Sequence, residues 1–176
     1  MSEFQLAMEW LQRGIELARQ ARWPASIALC LAQMGETLRR QGRIEEARKT
    51  LQECLQLLAQ QPHSRTAALA LNYLAHTEQD AGQSEAALQA FEALMQRALR
   101  ADAKDLQIDA QLGLARTRLA LGRPVEARRA AEAGLVLAEG QAEATIELLG
   151  VLGDIHLAEP ARAAEALGYY RQALDC

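Results

Sequence analysis

Apolar and small residues advance along this chain in steps of three and four, stop at a glycine, and then resume in the same rhythm. Ala28, Leu31, Met34, Gly35 and Leu38 make one such stripe, Gly42 interrupts it, and Ala47, Leu51, Cys54, Leu55 and Leu58 make the next. At about 3.6 residues per turn these spacings line up on one face of a helix, so each stripe predicts an amphipathic helix of some 17 residues. Glycine enters the left-handed turn that closes a helix without a side-chain penalty, so Gly42 separates a helix over 24–41 from one running from Ile44 to about Gln60. The punctuation recurs. Gly42-Arg43-Ile44-Glu45-Glu46-Ala47 returns as Gly82-Gln83-Ser84-Glu85-Ala86-Ala87 and as Gly122-Arg123-Pro124-Val125-Glu126-Ala127, every 40 residues. A fixed period of that size marks an array of helix pairs, each burying its apolar face against its neighbours.

The period sets the boundaries. An opening helix at 3–22 corresponds to the second half of a unit, with Ala7, Leu11 and Gly14 standing 40 residues before Ala47, Leu51 and Cys54. Arg22-Trp23-Pro24 ends it, because proline lacks an amide hydrogen yet fits the first turn of the next helix. Repeat 1 covers 24–61, and Pro62 with Ser64 as helix cap opens repeat 2 over 64–101, with Ala68, Leu71, Leu74, Ala75, Ala87, Phe91, Leu94 and Met95 facing inward. Repeat 3 covers 103–140, with Asp102 read as its cap, Ile108, Leu114 and Ala115 before Gly122, and Ala127, Ala131, Gly134 and Leu135 after Pro124. Repeat 4, 142–176, is degenerate. Ile146, Leu149, Leu152 and Gly153 form its first stripe, Glu159-Pro160-Ala161 replaces the glycine turn, and Ala166, Tyr170, Ala173 and Leu174 form its second. Short connections make consecutive helices antiparallel, which gives about nine helices in one array over 1–176. Small residues at Gly35, Ala75, Ala115 and Gly153, and at Ala47, Ala87, Ala127 and Ala166, mark the expected points of closest approach.

These residues resemble the tetratricopeptide repeat, whose pattern runs from a large apolar residue to Leu-Gly, a glycine turn, and then Ala, an aromatic and Ala. Leu31, Met34, Gly35, Gly42, Ala47, Leu51 and Cys54 fill those places in repeat 1, and Leu71, Leu74, Ala75, Gly82, Ala87, Phe91 and Leu94 in repeat 2. The resemblance implies an all-α, right-handed superhelical solenoid of antiparallel helix pairs. Two departures stand out. The usual period of about 34 is lengthened to 40, with the second helices continuing through Ala59, Leu99 and Glu139, and Leu38 is replaced by Glu78 and Arg118 in later units. The longer period is similar to the helical-repeat regions of MalT-type transcriptional activators and of bacterial regulators with histidine-kinase or diguanylate-cyclase outputs.

Composition narrows the function classes. Half the residues are apolar but only 4% are aromatic, which suits helices packed through small side chains. A formal charge of −4 speaks against direct nucleic-acid binding, which needs a basic face to displace counterions. Arg39, Arg40, Arg43, Arg48 and Lys49 are read as solvating a turn. No segment is apolar and long enough to cross a membrane, and the start lacks a signal-like run, so the expected location is cytoplasmic. Cys30, Cys54 and Cys176 match neither a disulfide framework nor a zinc site, and the first two are read as small core residues.

Catalytic, metal and cofactor sites are all expected to be absent. His63, His76 and His156 are scattered, no Ser or Cys has a base at a motif spacing, and there is no phosphate-cradling glycine loop. Glu45-Glu46 and Glu143 with Glu147 are read as exposed helix carboxylates. For binding, the resemblance implies that first helices line a concave groove for a protein or peptide. The register then selects Gln33, Glu36 and Arg40; Asn72, Tyr73, His76 and Asp80; Asp109, Leu112 and Arg116; and Gly150, Val151 and Asp154. Tyr73 and His76, one turn apart, are the central pair. The carboxylate clamp of co-chaperone arrays is not matched, since Ala32, Glu36, Tyr73, Asp109 and Gly113 stand where Lys, Asn and Arg are needed. Trp10 and Trp23 are read as core, with cover for an uncapped end as the alternative, and both ends of the array are possible sites of self-association. The expected function is a non-enzymatic interaction scaffold, the sensing or docking region of a bacterial regulatory protein. The alternatives are a regulatory segment of a diguanylate cyclase or histidine kinase, or a freestanding assembly or secretion chaperone.

Overall fold

The structure is a computed structural model, and it describes residues 3–158 and 162–175. Among these residues there are nine helices and no strand: α1 (Glu3–Gln20), α2 (Pro24–Arg40), α3 (Ile44–Leu57), α4 (Arg65–Asp80), α5 (Ser84–Arg100), α6 (Lys104–Ala120), α7 (Pro124–Leu137), α8 (Ala142–Ala158) and α9 (Ala163–Leu174). They form two compact units, residues 1–102 and 103–176. In the first, α2 pairs with α3 and α4 with α5, while α1 packs on α2 and α3 on α4. In the second, α6 pairs with α7 and α8 with α9, and α7 packs on α8.

The helices stop where local chemistry requires it. Gly42, Gly82 and Gly122 take φ of 73°, 71° and 70°, and the amides of Arg43, Gln83 and Arg123 return to the carbonyls of Leu38, Glu78 and Arg118. These bonds satisfy carbonyls that the last turn leaves without partners. Ser64 caps α4 as expected, its hydroxyl accepting from the Ala67 amide at 3.2 Å. Asp102 does not cap α6. It sits in the left-handed region at φ 49°, and Ala103 occupies the cap position without a side-chain bond. The second helices are also shorter than the stripes suggest. Of α3, α5 and α7 it is α5 that continues past the usual point, while Ala59 and Glu139 lie in turns after α3 and α7. Part of the extra period is therefore turn, in the third repeat closed by Gly140 at φ 81°.

Small residues do set the closest approaches. A Cβ on Gly35 would lie 2.5 Å from Leu51 Cγ, and one on Gly153 would run into the Tyr170 ring, so α2/α3 and α8/α9 depend on glycine at those points. In the first unit Ala28, Leu31, Leu51, Cys54 and Leu58 form a buried cluster with Met34 and Leu74 packed against it, and in the second Leu114 is buried. Cys54 is fully buried, donates its thiol to the Ala28 carbonyl at 3.1 Å, and is pushed up to about 11 by burial. Cys30 and Cys54 are both free thiols.

Four apolar assignments are corrected. Trp10 and Trp23 are exposed, not core, because no helix among the described residues covers Trp10 on α1 or Trp23 at the start of α2. Ile146 and Leu174 are also exposed. In α8 Leu149, Leu152 and Gly153 are buried as the stripe suggests, joined by Leu148, Val151 and Ile155, and covered by α6, α7 and α9. In α1 the deeply buried positions are Ile15 and Ala18, with Ala7, Leu11 and Gly14 half-buried. The Glu159-Pro160-Ala161 turn and Cys176 lie outside the described residues.

Candidate binding surface

The 40-residue step brings residue n of α2 beside residue n+40 of α4, and the expected face forms there as a polar network. Gln33 Nε2 donates to the Tyr73 hydroxyl at 3.4 Å, and Arg39 Nη1 to Asp80 Oδ2 at 2.5 Å. Glu36 stands three and four residues before two arginines, the spacing that faces them on a helix. Its Oε2 accepts from Arg39 Nε at 2.8 Å, and its Oε1 from Arg40 Nε at 2.6 Å and Arg39 Nη2 at 2.9 Å. Glu36 is consequently buried rather than displayed. Burial pushes its carboxyl up, but the bonds and charges of Arg39 and Arg40 outweigh burial and hold it below the usual carboxylate range. Arg40 and Asp80 remain exposed, and Asn72 is buried.

His76 is half-buried, with its ring edge-on to Phe91 at 5.2 Å and Nδ1 3.2 Å from Gln79 Oε1. Burial and then the Arg39 charge push its pKa down, against smaller opposing effects from Gln79, Glu36 and Asp80. The pH dependence follows from the sign of each shift. Both groups bind a proton less readily folded than unfolded, so each contributes stability that is present above its unfolded pKa and lost as pH falls through its folded value. For His76 the loss begins near pH ~6.5 and for Glu36 near ~4.3. Urea melts of His76→Gln are expected to show a smaller loss between about pH 6.5 and 5 than those of the wild type. A slope in that window equal to the wild type's would show that His76 is not its source.

In the second unit, a groove of about 460 Å³ runs between α6 and α8, lined by Asp105, Ile108, Asp109 and Leu112 on one side and Glu143, Ala144 and Glu147 on the other. Arg116 Nη2 donates to Glu147 Oε2 at 2.9 Å, an exposed pair across the two first helices. Leu112 is buried and belongs to the floor. Asp154 stands apart, accepting the Tyr170 hydroxyl at 2.7 Å, while Val151 is buried and Gly150 half-buried, so α8 contributes less to an open face than the register suggests. Sequence reasoning missed Leu29, which is 46% exposed and lies on the same α2 stripe as Gln33, Glu36 and Arg40. Its signal was its place four residues before Gln33. Among the described residues no cluster of three or more His, Cys, Asp or Glu could hold a metal ion, and no helix is long and apolar enough to cross a membrane.

Paired helices, left-handed glycine closures and small residues at the crossings are thus all present in α2 to α5. Residues 25–98 match the tetratricopeptide-repeat (TPR) family model. No curated protein matches the chain. Solved structures extend the likeness in fold. TPR-like repeats assigned to a kinesin light chain of Podosopora anserina superpose with a TM-score of 0.77 at 17% identity, covering 98% of this chain and 87% of that one. MamA gives 0.69 at 17% identity over 98% and 88%, and BtubC (BKLC) from P. vanneervenii gives 0.78 at 15% identity over 98% and 74%. The fold is therefore TPR-like, and all-helical among the described residues.

Proposed function

We propose that this TPR-like chain is a non-enzymatic protein-interaction scaffold that receives a peptide or protein segment on the first-helix face of α2 and α4, as the docking region of a cytoplasmic bacterial regulatory protein. The observation that carries the reading is the cross-repeat network. Gln33–Tyr73 and Arg39–Asp80 hold their side chains in fixed positions, so a ligand meeting this face finds its hydrogen-bonding groups already ordered. Leu29 adds an apolar anchor beside them, and Arg40 and Asp80 add charges of both signs at one end. The regulatory context draws on the long period and its likeness to bacterial signalling arrays, and the two free thiols suit a reducing location.

His76→Ala is a poor probe of this face, because it would open space against Phe91. Leu29→Glu combined with Tyr73→Phe removes the anchor and one cross-repeat bond while sparing the core. In a screen of the intact chain against a tiled peptide library, the double variant is expected to bind selected peptides at least tenfold more weakly, with little change in thermal unfolding. Unchanged affinity would move the binding site off α2 and α4.

A further inference from the structure

Among the described residues α1 packs against α2 and no other helix. The side of α1 away from α2 is open among the described residues, and it is not polar. Leu6, Trp10 and Leu17 are 45%, 69% and 52% exposed, on the side of the helix away from the buried Ile15 and Ala18. Together with Arg13, also exposed, they form the sequence 6, 10, 13, 17. Steps of four, three and four are the spacing of a coiled-coil seam, and at ~100° per residue they fall within an arc of about 60°.

The seam reads the same in both directions. If a second copy of α1 is laid antiparallel about a two-fold axis passing between Leu11 and Gln12, Leu6 faces the other copy's Leu17 and Trp10 faces its Arg13, each contact occurring twice. The leucines close the two ends, and each guanidinium meets an indole face, which attracts a cation through the ring quadrupole. A parallel arrangement would instead set Arg13 against Arg13. Such self-complementarity is what an isologous two-fold interface requires. We infer that the Leu6–Trp10–Arg13–Leu17 face of α1 is a homodimer interface, in which two copies of this chain pair through antiparallel α1 helices. A pair of helices of this length buries an area at the low end for specific interfaces, below about 1,200 Å², so the dimer is weak and concentration-dependent.

Sedimentation velocity of the intact chain over a concentration series tests the inference. Wild type is expected to shift from monomer to dimer as concentration rises. Leu6→Ser with Leu17→Ser, both at exposed positions, is expected to stay monomeric with an unaltered thermal unfolding midpoint. Arg13→Glu is expected to weaken the dimer about tenfold, from loss of two cation–π contacts. A wild type that remains monomeric throughout would overturn the inference, and so would a dimer that persists in the double serine variant. Full-strength association of Arg13→Glu would overturn the antiparallel register. These outcomes are independent of peptide binding on α2 and α4.

Discussion

Phe91→Ala is expected to lower the stability of the first unit by about 3–5 kcal/mol, the cost of emptying a large aromatic site in a core that cannot fully collapse. Phe91 has no exposed surface and heads the fully buried side chains by volume. It projects from α5 onto the edge of the His76 ring of α4, so its removal loosens the contact between the two helices of repeat 2. The equivalent residue one repeat earlier is Leu51, also fully buried and in contact with the Gly35 backbone position. Leu51→Ala should cost about 2–5 kcal/mol by the same mechanism. Urea denaturation followed by circular dichroism measures both. Repeat proteins unfold as sums of local units, so the loss belongs to the transition of residues 1–102, and a second transition from residues 103–176 should be nearly unmoved. A Phe91→Ala cost below ~1.5 kcal/mol would show that the site collapses onto the smaller residue and is not a packing centre.

The second large effect is electrostatic. Glu78 occupies the place that Leu38 holds one repeat earlier, and it is buried. Its two oxygens accept from Arg48 on α3, Oε1 from Nε at 2.7 Å and Oε2 from Nη2 at 2.9 Å, while Arg48 also bonds Glu45. A bidentate pair of this kind fixes how α3 meets α4. Arg48→Met leaves a carboxylate in a site largely closed to water, and a loss of about 2–3 kcal/mol is expected. Glu78→Leu should cost less, since Arg48 is partly exposed and keeps Glu45. Arg48→Met with Glu78→Leu removes both charges and restores the apolar residue of repeat 1. It should recover most of the single-variant loss, because well-packed apolar groups replace a buried ion pair at little or no cost. A double-mutant cycle in urea decides the matter: additive losses, with no coupling between the two sites, would show that the pair contributes nothing as a pair.

The chain's helices were legible because their signals are local. Stripes at three- and four-residue spacing located α2 to α8, the three glycines located the turns inside the pairs, and Ser64 announced the cap of α4. Where a signal was ambiguous, the reading slipped. Asp102 has the chemistry of a cap but takes a left-handed conformation one residue early, and Ala59 and Glu139 extend a helical pattern through residues that turn. The candidate face was legible in part. Register placed Gln33 beside Tyr73 and Arg40 near Asp80, but the link to Asp80 comes from Arg39, and Glu36 proved to be a buried hub. Side-chain direction around a helix is known from spacing, whereas the partner chosen among neighbouring arginines depends on positions set by another helix.

The amino-acid sequence by itself determined the repeating helix pair: its 40-residue period, its glycine closures and the small residues at Gly35 and Gly153 where two backbones must approach. Those features follow from the helical period and from the conformations open to a residue without a side chain. Tertiary structure alone decided which polar groups went inside and which apolar ones stayed out. Glu78 could be buried because Arg48 was brought to it from another helix, and Trp10 and Trp23 remained exposed because no neighbouring helix among the described residues covers them. Burial is a property of the surface opposite, and that surface comes from another part of the fold.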